Sequence, residues 1–151
     1  MQLRELTFSH LEEAVTESRD LLASGYRRRG NWSLGQICQH LSRVQNPSLD
    51  GYPRWMSLFA PLRPMMRVWL MPRLLGSDSP QGIPTASVFT PAETVDDQQE
   101  VEAFAGSVTR LLRHDGLFAP HPAFGRLSRE QLLAIHSAHA AHHLRLLEKE
   151  R

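Results

Sequence analysis

The sequence predicts an all-α fold, a four-helix bundle with a Met/Trp-rich insert between helices 2 and 3. Four segments carry apolar residues at the i, i+3, i+4 spacing of a helix face. Each is bounded by capping or breaking residues, and strand-like alternation is sparse. The first segment runs from about His10 to Ser24 with Leu11, Ala14, Val15, Ser18 and Leu22 inward. Thr7 or Ser9 is its candidate cap and Gly25 its stop. The second runs from Ser33 as N-cap toward Asn46, where Pro47 interrupts it, and its face is Leu34, Ile37, Leu41 and Val44. The third, from Val95 or Asp96 to His114, carries Val101, Phe104, Val108, Leu111 and Leu112, with acidic residues in its first turn and Gly116 beyond its end. The fourth starts at Ser128, which forms a capping box with Gln131, and extends to about Lys149.

The fourth helix holds the most informative residues. Leu132, Ile135, His136, His139, His143 and Leu146 share one face, because a helix turns about 100° per residue. A single imidazole on a buried stripe is ordinarily satisfied by a carbonyl or a water. Here His136, His139, His142 and His143 fall within eight residues of a chain with 8 histidines, and independent accidents explain that poorly. His139 and His143, one turn apart, offer a transition metal an i,i+4 grip. His136, a turn earlier, is read as a neighbour or substrate contact, and His142, about 60° off the stripe, as a flanking residue. A third ligand must come from elsewhere, and His40 is the best candidate because it borders the apolar face of the second helix. His10 has an ordinary explanation as part of a cap, His114 as a cation at a helix end, and His121 as a loop residue between prolines.

The stretch Asn31-Trp32-Ser33-Leu34-Gly35-Gln36-Ile37-Cys38-Gln39-His40-Leu41 resembles the W-S-x-x-x-x-x-x-H-L opening of the second helix of DinB/YfiT-like proteins. His139-Ala140-Ala141-His142-His143 is similar to their C-terminal H-x-x-x-H helix. Ser48-Leu49-Asp50-Gly51 and Pro122-Ala123-Phe124-Gly125-Arg126-Leu127-Ser128 resemble segments of a bacterial subfamily of that superfamily with no assigned function. The resemblance implies a four-helix bundle with a three-histidine metal site at His40, His139 and His143, and characterised DinB-like enzymes include metal-dependent transferases and isomerases that use low-molecular-weight thiols. One departure is that Leu144-Arg145-Leu146 follows His143 where many such sequences continue with Arg-Gly, so any role of that dipeptide does not transfer.

Composition narrows the partners. Lys+Arg 17 against Asp+Glu 16 gives a formal net charge of +1, without the basic face that a phosphate backbone requires, so no nucleic acid is expected. Arg27-Arg28-Arg29 reads as a solvated cluster past a helix end. With 41% hydrophobic and 22% charged residues, 1–151 reads as one globular domain. Its single cysteine, Cys38, excludes an intrachain disulfide and reads as a small buried thiol. The N-terminus lacks the apolar core of a signal peptide, so a cytoplasmic bacterial location is expected.

Between helices 2 and 3, Trp55 to Leu75 is rich in Met, Leu and Trp. Arg63, Arg67, Arg73, Pro61, Pro64 and Pro72 argue against a membrane span. Met65 to Met71 is expected to form a short helix that covers the bundle, lines a pocket or packs on a second subunit, and its apolar excess predicts a homodimer. A peripheral membrane contact is the minor alternative. The Gly76 to Pro91 loop is long enough to fold over a site.

Three neutral imidazoles leave coordination positions open, as in a catalytic site, and suit zinc, nickel or manganese. Open positions accept a water, which favours hydrolysis, or a thiol, which favours transfer to a small-molecule electrophile. His136, His142 and Asp50 are the candidate general bases. A metal-binding bundle without catalysis and a protein-interaction module without metal are the other classes open to this sequence. Histidine ligands at their reference pKa would lose metal as the pH falls through about 6.

Overall fold

A computed structural model describes residues 3–76 and 86–150. Its core is a four-helix bundle of α1 (Leu11–Ser24), α2 (Leu34–Gln45) continued by the short α3 (Pro47–Asp50), α6 (Asp97–Arg113) and α7 (Arg129–Leu144). The insert between the second and third bundle helices consists of a 3₁₀ segment, Arg54–Leu62, followed by α4 (Arg63–Trp69) and α5 (Met71–Leu75). A two-stranded antiparallel ribbon pairs β1 (Tyr26–Arg28) with β2 (Leu147–Lys149) in the register Tyr26 to Lys149.

Local chemistry sets the helix ends. Ser33 and Ser128 each accept a backbone N–H from the glutamine three residues on, and Gln36 and Gln131 reach back to the N–H of their caps at 2.9 and 3.0 Å. Asp96 caps α6 through Gln99 N–H at 2.7 Å. His10 caps α1, its N–H donating to Glu13, in place of the Thr7 or Ser9 expected from the sequence. As expected, Pro47 interrupts the second bundle helix, which ends as α2 at Gln45 and resumes as α3. Asn46 stays helical at φ −56° and Pro47 occupies the first position of α3, where no N–H is needed.

The core joins Leu11, Leu21, Leu34, Ile37, Leu41, Val101, Phe104, Val108, Leu111, Leu132, Leu144 and Leu147. Within α1, Leu21 rather than Leu22 takes the fully buried position. Gly35 lets α2 approach α6 closely: its N–H donates to Asp97 Oδ1 at 2.7 Å, and a Cβ there would lie 2.7 Å from the same oxygen. The other Asp97 oxygen accepts from Tyr26 Oη at 2.6 Å, which ties the ribbon to the helices.

One expectation is corrected. The last helix stops at Leu144, and residues 147–149 turn back as β2 instead of continuing helically to Lys149. Extended pairing with β1 and the bond from Arg29 N–H to Leu146 C=O, 2.8 Å, satisfy that backbone. Arg27 and Arg28 are accordingly strand residues, and Arg29 pairs with Glu148 at 2.6 Å.

In the insert, Met66, Leu70, Met71 and Leu74 pack on Phe124 and on Ile135 of α7, while the opposite face is exposed. Of the expected 76–91 loop, residues 77–85 lie outside the described residues; a 3₁₀ turn at Ser87–Phe89 follows them. Among the described residues no helix is long and apolar enough to cross a membrane.

Candidate metal centre

α2 and α7 pack against each other and bring His40, His139 and His143 to one point. His139 and His143 share a face because they are four residues apart on α7. His139 Nε2 lies 3.2 Å from His40 Nε2 and 3.1 Å from His143 Nε2, and one ring nitrogen from each of the three lies within 4.8 Å of the others. The cluster sits under Trp32, whose ring is 5.5 Å from that of His143 at 22° and 5.0 Å from that of His40.

A hydrogen bond fixes one tautomer. His40 Nδ1 is 2.8 Å from the Phe89 carbonyl, which can only accept, so Nδ1 carries the hydrogen and Nε2 presents its lone pair. Protonation does not relieve the crowding. Burial, above all, holds His40 below its ordinary value. Burial and then the neighbouring His143 and His40 hold His139 well below it, and burial with His40 lowers His143 to about 3. A single hydrogen on His139 Nε2 satisfies one neighbour fully, and the other contact remains nitrogen facing nitrogen. A cation between the lone pairs removes that conflict. Metal–imidazole bonds of about 2.0–2.1 Å at tetrahedral angles space the nitrogens about 3.3 Å apart, close to the 3.2 and 3.1 Å that separate His139 Nε2 from the other two. The three-histidine cluster is thus able to coordinate a divalent metal ion.

Burial favours the neutral, ligating form of all three rings, which shifts the expected pH edge downward. Rings that stay neutral at pH 6 are expected to keep their metal there, with loss at lower pH.

The remaining sequence candidates separate. His136 is fully buried beside the cluster on α7, its Nε2 is 3.2 Å from Ser48 Oγ, and its Nδ1 has no partner among the described residues. Ser48 Oγ in turn lies 3.3 Å from Tyr52 Oη. Burial and His121 lower His136 to about 3. His142 is half-buried, accepts from Arg145 at 3.3 Å and stands edge-on to His143 without joining the cluster. Asp50 is no base for this site: it is exposed and held by a bidentate pair with Arg110.

His10 caps α1. His114 ends α6 and donates to Leu117 C=O at 3.2 Å. His121 accepts from Ala123 N–H at 3.1 Å and stacks on Phe124. Cys38 is buried, and burial pushes its thiol up to about 12. Sequence reasoning missed the Phe89 carbonyl, the Trp32 cover and the Ser48–Tyr52 chain. Phe89 acts through its backbone and carries no side-chain signal, whereas Trp32 and Ser48 stand inside the quoted motifs.

Comparison with known families places the chain. The model of a family described as "Protein of unknown function (DUF1569)" matches residues 1–150. The chain belongs to this family. No curated protein and no solved structure matches it. The match to DUF1569 spans both motifs that resemble the DinB/YfiT-like pattern, and it does not by itself assign the chain to that superfamily.

Proposed function

We propose that this DUF1569 chain is a metal-dependent enzyme, akin to the DinB/YfiT-like proteins, in which His40, His139 and His143 hold a divalent ion of the zinc, nickel or manganese group. The observation that carries the reading is the convergence of three neutral imidazoles, with His40 locked by Phe89 so that its Nε2 faces the other two. When bound, the ion supplies Lewis acidity at open positions, and because all three donors are neutral its undiminished charge favours an anionic partner such as a thiolate.

The chain's own residues do the rest. Phe89 orients His40, Trp32 shields one side of the cluster from water, and His136 holds a proton on one nitrogen while Ser48 and Tyr52 offer it a hydrogen-bonded exchange route. Of the two candidate acid–base groups, His142 has its Nδ1 engaged by Arg145, and His136 is held neutral by burial, so its bond to Ser48 gives it a positioning role. A low-molecular-weight thiol and a small electrophile are the proposed substrates, the thiol resting on the DinB/YfiT-like motifs.

Metal analysis of protein purified without an affinity metal column tests this reading. About one divalent ion per chain is expected. His139→Ala should abolish binding and His40→Ala should weaken it severely, while His121→Ala should leave it unchanged. Full metal content in the His40 variant at low free metal refutes the ligand set. With cobalt in place, a small thiol should add a sulfur-to-metal charge-transfer band, measured with Cys38→Ser as control. Turnover of esters or amides with no thiol band replaces transfer with hydrolysis.

A further inference from the structure

The insert has two faces, and only one is accounted for by the fold. Met66, Leu70 and Met71 pack on Phe124 and Ile135, while Leu58, Val68 and Trp69 on the other side are 79%, 74% and 67% exposed, with Trp55, Leu62 and Met65 about half exposed. We propose that this outer face docks on an anionic lipid membrane, laying the insert in the interfacial plane.

Charge selects that occupant. From Gly51 to Ser77 the chain has four arginines and not one aspartate or glutamate. Among the described residues Arg54, Arg63, Arg67 and Arg73 form no ion pair, a property they share with seven arginines elsewhere, so what sets the insert apart is its lack of any carboxylate of its own. Backbone carbonyls hold the middle two in place. Arg63 donates to Pro122 at 3.2 Å and Arg67 to Phe124 and Arg126 at 3.0 and 2.7 Å, on the side of the insert that packs on Phe124, so the exposed guanidinium groups of the insert are those of Arg54 and Arg73. Arg73 donates to the Trp69 carbonyl at 2.7 Å and lies 4.5 Å from the centre of its ring. Exposed tryptophans, aliphatic side chains and two exposed arginines without an ion pair among the described residues, all within the Arg54–Leu75 insert, have the chemistry of an interfacial anchor. Apolar groups enter the acyl boundary, indole rings sit at headgroup level and guanidinium groups meet lipid phosphates.

A second copy of the chain, the occupant suggested by the apolar excess alone, fits less well. A two-fold interface sets the same patch against itself, and this patch would then bury arginine against arginine with no carboxylate of its own to intervene.

Co-sedimentation of the full chain with phosphatidylcholine vesicles, with and without about 30 mol% phosphatidylglycerol, tests the proposal at an ionic strength of about 0.1 M. Binding is expected on the anionic vesicles, with a blue shift of tryptophan emission, and much less on the neutral ones. Two exposed arginines are each worth about fivefold in partitioning, so the double change Arg54→Gln with Arg73→Gln should lower it about thirtyfold. Leu58→Glu and Val68→Glu should abolish binding, with far-ultraviolet circular dichroism checking that they fold. The arginine pair serves as the test if either does not. Equal binding to both vesicle types, or none to either, overturns the proposal. So does sedimentation equilibrium showing a dimer that Val68→Glu splits.

Discussion

His136 gives the sharpest quantitative expectation, because its burial converts directly into a pH dependence of folding. In the unfolded chain it titrates near 6.5, and in the folded protein burial lowers it to about 3. The folded state therefore refuses a proton that the unfolded state takes up. The associated stability is fully present above about pH 6.5 and is lost progressively as the pH falls toward 3. At pH 5 the unfolded chain gains about 1.5 pH units of protonation free energy that the native state lacks, or about 2 kcal/mol from this one residue. That is a substantial part of the 5–15 kcal/mol that typically holds a domain together.

His136→Gln keeps a side-chain amide within reach of Ser48 and removes the titration. Urea unfolding of metal-free protein at pH 7 and pH 5 should then show the wild type losing about 2 kcal/mol more than the variant over that interval. Equal losses in the two proteins would refute the assignment of His136 as a buried neutral imidazole.

Three further outcomes are expected. Metal affinity of the folded protein should change little between pH 7.5 and 6, measured with a competing chelator, whereas three ligands titrating at 6.5 would weaken it about fiftyfold. Gly35→Ala should lower stability by about 1–3 kcal/mol, read from thermal unfolding, because the new methyl meets Asp97 Oδ1 at 2.7 Å and the Asp97 backbone at 3.0 Å. Cys38 should remain unmodified by a disulfide reagent in native protein and react on unfolding, since it is buried and its thiol is pushed up to about 12.

Features that depend on local spacing were legible in the sequence. Ser33 with Gln36 and Ser128 with Gln131 announce their helices because a capping box involves only neighbours along the chain. His139 and His143 were readable as a pair for the same reason: a helix places residues four apart on one face whatever surrounds it. The all-α bundle and its apolar faces follow from the same periodicity, and the exposed Trp55, Leu58, Met65, Val68 and Trp69 of the insert from an apolar excess over what a small core holds, although Met56 and Met71 are buried.

The rest was decided by packing between segments far apart in sequence. His40 reaches His139 across ninety-nine positions only because α2 lies against α7, and the carbonyl that orients it belongs to Phe89, whose side chain plays no part. Arg145 to Lys149 have no glycine or proline to stop a helix. Pairing with Tyr26–Arg28 supplies the hydrogen bonds that turn those residues into a strand. Asp50 reads as a candidate base until Arg110 is found on it, and His136 reads as one ring among four until its Nδ1 is found buried without a partner among the described residues. Periodicity tells which side of a helix is inward, but what a side chain meets there, and hence its charge state, is a property of the neighbours that the fold brings to it.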